Sequence, residues 1–100
     1  MRDDLVDLHV EAGLEYDEAF NWNLQRSEDA ALDFDREVDG AFAEIAQEPE
    51  RWALGSYSCR RFLLQKFPYS VIYRERPSGR VQVVAIAHAS RRPGFWKHRL

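Results

Sequence analysis

Ala31, Phe34, Val38, Ala41, Phe42 and Ile45 fall at helical spacing, so an α-helix would carry them all on one side. A stripe that wide has to be buried, and the first half of the chain therefore demands a second layer to cover it. The limits of the helix stand beside the stripe. Ser27 is placed to cap its start, with Glu28 and Asp29 in the first turn where the helix dipole favours acids. Pro49 stops it, because the residue before a proline disfavours helical angles. Residues 11–24 read as a preceding helix. Ala12, Tyr16, Ala19, Phe20 and Asn23 share one side of it, while Glu11, Glu15 and Glu18 lie elsewhere. Gly13 weakens that helix by about 1 kcal/mol relative to alanine. The turn between the two helices is short, which predicts an antiparallel hairpin.

Beyond Trp52 the texture changes. Residues 60–66, 69–74 and 81–88 are rich in β-branched and aromatic side chains, the composition of strands. Pro68 separates the first two, and Pro77-Ser78-Gly79 supplies a turn before the third. Three consecutive antiparallel strands are expected. The last, VQVVAIAH, is apolar on both faces and should be central in the sheet. Near the start, Val6, Leu8 and Val10 alternate with Asp7 and His9, which predicts a short half-buried strand. The tail, residues 89–100, is too polar to be expected in the core. The fold class is therefore α+β in the order β-α-α-β-β-β, a helical hairpin packed on a small, mostly antiparallel sheet. The hairpin covers one face of the sheet, and the other face or rim is expected to stay open to a partner.

A chain of 100 residues with 45% apolar content suits one domain, residues 1–100. There is no run of about 18 apolar residues to span a membrane, and the N-terminus lacks the basic start and apolar stretch of a secretory signal. The expected location is cytoplasmic. Cys59 is the only cysteine, so it forms neither an internal disulfide nor a cysteine-based metal cage, and it reads as a small apolar residue on a strand. The charge is unevenly distributed. Residues 1–50 hold 16 acidic residues against 3 arginines, and residues 51–100 hold 11 basic residues against the single Glu75. Either one surface attracts anions and another repels them, or the two halves interleave and cancel.

The element order and three local motifs together resemble the RelE/ParE toxin superfamily over about residues 11–99. The first motif is the helix ending AFAEIAQEPERW, with Ile45 and Pro49. The second is RRFLLQKFPYSVIYR, residues 60–74. The third is AIAHASRRPGFWKHRL, residues 85–100, which is similar to the His-x-x-Arg-Arg-Pro-Gly-aromatic-Trp ending of the branch often called plasmid stabilisation proteins. The resemblance implies the toxin of a type II toxin–antitoxin pair, neutralised by a cognate antitoxin. It also implies that the complex reaches operator DNA only through the antitoxin. No cofactor, metal or membrane is implied.

The superfamily holds two activities. RelE-like members cleave messenger RNA on the ribosome. They use basic residues to hold the scissile phosphate and a general base to take the 2′-hydroxyl proton. ParE-like members inhibit DNA gyrase by binding it. For the nuclease, His88, Arg91 and Arg61 are the candidate catalytic residues, since a histidine titrates near neutrality. The target-binding candidates are Arg60, Lys66, Tyr69, Arg74, Arg92 and Trp96, as phosphate clamps or base-stacking rings. Arg60 and Arg61 point to opposite faces of a strand, so at most one faces a site. His88 also reads as an ordinary hydrogen-bonded surface histidine, and Arg91-Arg92 as a solvated turn.

Specific departures count against the nuclease. Ser70 stands where RelE-like nucleases carry an arginine, Leu63 where they carry a lysine, and Ser90 near a further arginine. Each lost cation costs about 10²- to 10³-fold in such chemistry. The residues therefore favour a ParE-like inhibitor. The RelE-like endoribonuclease and a degenerate toxin acting only as an antitoxin-binding co-repressor remain the alternatives. Trp22, Leu24 and Trp52 are the candidate antitoxin contacts, as exposed apolar positions that a segment folding on binding could cover.

Overall fold

The computed structural model describes residues 5–100. Its order is β1 (Asp7–Leu8), α1 (Val10–Arg26), α2 (Glu28–Gln47), β2 (Arg60–Leu63), β3 (Tyr69–Glu75) and β4 (Val81–His88), with short 3-10 turns at Pro49–Arg51, Ser56–Ser58 and Lys97–Arg99. The expected order holds. The sheet runs β1-β4-β3-β2. β2, β3 and β4 form the antiparallel set, and β1 lies parallel to β4. β4 is thus central, as its two-sided apolarity requires.

Local chemistry sets the boundaries. The first strand is only two residues long because His9 caps α1, its side chain accepting from the Glu11 amide at 3.1 Å. Ser27 caps α2, accepting from the Ala30 amide at 3.0 Å. β2 ends at Leu63, short of the expected residue 66. The Glu37 carboxylate of α2 accepts from the Gln65 and Lys66 amides and holds the chain in a turn there. Tyr73, wholly buried, donates its hydroxyl to the Pro49 carbonyl at 2.6 Å and pins the exit of α2 to the sheet.

The helical hairpin covers one face of the sheet. Phe34 lies at the centre, with ring centroids 5.6 Å from Tyr16, 5.3 Å from Phe67 and 5.5 Å from Tyr69. Val38, Phe42 and Ile45 continue the layer over Val71, Tyr73, Val83 and Ile86. Each such side chain contributes about 1.5–3 kcal/mol when fully buried.

The other face corrects the sequence-based expectation, because it is not open. The tail folds back over it, and Trp96, only 5% exposed, packs with Cys59, Ile72, Val84, Ala85 and Ala87. Gly94 permits the reversal. Its φ of +76° is one that L side chains resist, and a Cβ there would lie 3.1 Å from the Tyr57 ring. Arg99 locks the strap. Its guanidinium makes two bonds to the Glu15 carboxylate, at 2.9 and 2.8 Å, and a third to the Val84 carbonyl at 3.0 Å. The polar composition of residues 89–100 hid these two anchors.

Candidate functional site

A cleft of about 680 Å³ opens at the end of the hairpin, between α1, the start of α2, the turn before β3 and the end of β4. Trp22, Lys66, Tyr69, His88 and Arg91 all line it, so five of the residues singled out from the sequence converge. The fold explains the convergence. Tyr69 and His88 are paired across β3 and β4, and their rings meet edge to face at 5.0 Å. His88 Nδ1 lies 2.8 Å from the Ser90 hydroxyl and accepts from the Ser90 amide at 3.0 Å. The histidine is therefore held by the turn that follows it. Arg91 lies over the Phe95 ring, 3.7 Å from its centroid, and 3.9 Å from Glu15. Burial and the nearby Glu18 carboxylate push the Tyr69 hydroxyl pKa up, which keeps it a neutral donor. Arg26 covers the Trp22 ring at 5.0 Å.

Other expected residues do not join this group. Arg61 is exposed on β2, opposite Ile72, and lines a separate small hollow with Cys59 and Trp96. Its side chain projects to the strap-covered side of the sheet, whereas His88 sits beside Tyr69 on the hairpin side. The candidate trio His88, Arg91 and Arg61 is thus divided between two faces. Arg60 serves the fold, donating to the Trp52 carbonyl at 2.5 Å and pairing with Glu75 at 3.4 Å. Arg74 donates to the Gln82 side chain at 2.9 Å. Trp96 is buried between the strap and the sheet as part of the strap itself, a correction to its expected place facing a target. Arg92 is exposed.

Among the antitoxin candidates, Trp22 is 56% exposed in the cleft, and Leu24 is exposed on α1 outside it. Trp52 is half-buried against Phe62, at a centroid distance of 4.9 Å, and belongs to the main core. Asn23, placed by the sequence on the apolar side of the first helix, had no site role assigned to it. It is 1% exposed and lines the cleft. Its Nδ2 donates to the Ala19 carbonyl at 2.8 Å, and its buried Oδ1 has no hydrogen-bond partner among the described residues. A polar residue on the apolar side of the first helix was the available signal.

A larger hollow, about 850 Å³, lies along β1 and the start of α1, and none of the expected site residues lines it. Among the described residues, no group of three or more His, Cys, Asp or Glu is placed to hold a metal ion. No helix is long and apolar enough to cross a membrane.

No curated protein matches the sequence. A family model does, that of the ParE toxin of type II toxin–antitoxin system, parDE, and the match runs over residues 6–93. It takes in both helices and all four strands just described. The chain therefore belongs to the ParE toxin family of type II toxin–antitoxin systems.

Proposed function

We propose that this toxin arrests growth by binding its target, with DNA gyrase the target the family implies, and not by cutting RNA. A cognate antitoxin then neutralises it. One observation carries the reading. The three candidate catalytic residues are divided, with Arg61 on one face of the sheet and His88 with Arg91 at the cleft on the other. A general base and a phosphate clamp have to meet within about 3 Å of one reacting group. The local chemistry around Arg61 points the same way. Leu63 pairs with Ser70, and Ser70 with Ala87, so the end of the strap-covered face is apolar or small where transition-state charge would need cations. The exposed Arg61, Lys66 and Arg92 then serve as rim charges, which govern encounter with a partner more than affinity.

Induction of the chain without its antitoxin tests the proposal. The expected result is growth arrest with intact transcripts, and inhibition of supercoiling when the purified protein is added to DNA gyrase. Transcripts cut at ribosomes would overturn it in favour of the endoribonuclease. Normal growth would leave only the co-repressor role.

A further inference from the structure

β1 pairs with β4 only at Gln82 and Val83 before the chain turns into α1. From Val84 to His88 the outer edge of the central strand therefore has no strand beside it among the described residues. Side chains fill part of the gap. The Ile86 amide donates to the Glu15 carboxylate at 3.0 Å, and the Val84 carbonyl accepts from Arg99 at 3.0 Å.

The direction of the remaining groups follows from alternation along a strand. The Tyr69 carbonyl accepts from the Leu64 amide at 3.0 Å, so Tyr69 faces β2. Ser70 then faces β4, and its partner Ala87 faces it in return. Ile86 and His88 turn both their N–H and C=O groups to the outer edge. The His88 carbonyl is taken by the Arg91 amide at 3.0 Å. That leaves the Ile86 carbonyl and the His88 amide. In a parallel ladder, one residue of the incoming strand bonds these two groups, donating to the first and accepting from the second. Both residues line the cleft that holds Trp22 and Asn23.

We propose that this open edge is where an extended segment of the antitoxin adds to the sheet, parallel to β4 and in line with β1, with a Lys or Arg side chain directed at Asn23. The inference rests on the antitoxin reading above. Asn23 Oδ1 is a buried acceptor without a donor among the described residues, and Glu18 lines the same cleft, where Arg26 and Arg91 lie over the Trp22 and Phe95 rings and Lys66 stands at the turn before β3. A basic side chain satisfies the first and is attracted by the second. The exposed Trp22 ring supplies the apolar anchor typical of interface hot spots.

The test compares the chain alone with the complex purified after co-expression with its cognate antitoxin. Amide hydrogen exchange is read by NMR. The His88 amide is expected to slow by at least about tenfold in the complex, while Ile86 is protected in both states. Trp22→Ala, which alters an exposed ring, is expected to weaken the complex by at least about tenfold. Asn23→Leu should do likewise, and its circular dichroism reports whether it folds. Leu63→Ala, on the opposite edge strand, should bind as wild type. A stable complex in which His88 exchanges as fast as in the free chain overturns the inference and leaves the toxin reading intact. So does wild-type affinity in Trp22→Ala. Failure of the wild-type chain to arrest growth when induced alone sinks the toxin reading by itself, whatever the exchange data show.

Discussion

The two faces of the sheet are closed by different means. On the hairpin side, long apolar side chains from α1 and α2 interlock around Phe34, and packing carries the energy. On the strap side the apolar layer is thin, with Trp96 resting on Cys59 and small residues of β4. The strap is held there by Arg99, whose side chain is 5% exposed and bonded to a carboxylate far back in the sequence. A layer built from packing resists salt and pH. A layer pinned by ion pairs depends on a few charged contacts, here those of Arg99 with Glu15 and Glu11. The two faces should therefore fail differently.

Phe34→Ala should break the hairpin face most severely, by about 3–5 kcal/mol. A domain of this size has only about 5–15 kcal/mol in total, so thermal unfolding by circular dichroism should show a large loss of Tm. Trp96→Ala should cost less, about 3 kcal/mol, because part of its surroundings can collapse onto the small residues beneath. Arg99→Ala should cost about 2 kcal/mol, below the usual range for a broken buried pair, since Glu15 keeps its bonds to the Ile86 amide and its proximity to Arg91. Double-mutant cycles with Glu15→Gln separate the last two, with a coupling of at least about 0.5 kcal/mol expected for Arg99→Ala and none for Trp96→Ala. Strict additivity of Arg99→Ala with Glu15→Gln would mean that packing, and not charge, holds the strap.

The smallest effect sharpens the comparison through pH. Burial, opposed by nearby Arg60, pushes the Tyr73 pKa up to about 12 from 10.0. The folded state thus keeps a proton that the unfolded chain releases. The stability tied to that proton is fully present below pH 10 and is lost as pH rises toward 12. The slope in that window is about 1.4 kcal/mol per pH unit. Tyr73→Phe should cost about 1 kcal/mol at neutral pH, for the lost bond to Pro49, and should flatten the alkaline decline relative to wild type. An unchanged alkaline slope would assign that decline to other tyrosines.

Much of the architecture was legible because it is local. The helical stripe, the Ser27 cap, the Pro49 stop and the two-sided apolarity of β4 each signal through residues a few positions apart, and the structure has all of them. What escaped depends on distant partners. Nothing near Arg99 announces Glu15, and nothing near Gln65 announces Glu37. The candidate site was legible in part for the same reason. His88 and Tyr69 meet because two strands pair in register. Arg60 is drawn into the Trp52 loop by a bond that no periodicity predicts. Trp96 was assigned to a partner as a stacking ring, whereas its neighbours in space are the apolar residues of the sheet face.

Cys59 lies beneath Trp96, 3% exposed, with its thiol pKa raised by burial. While the tail is down, that sulfur is both shielded and protonated, and only the thiolate attacks an alkylating reagent. Each reaction must wait for an opening that uncovers the sulfur, either a lifting of the C-terminal segment or an unfolding of the sheet. Labelling read by mass spectrometry at rising denaturant tells the two apart, because a rate that does not follow global stability reports the C-terminal segment alone.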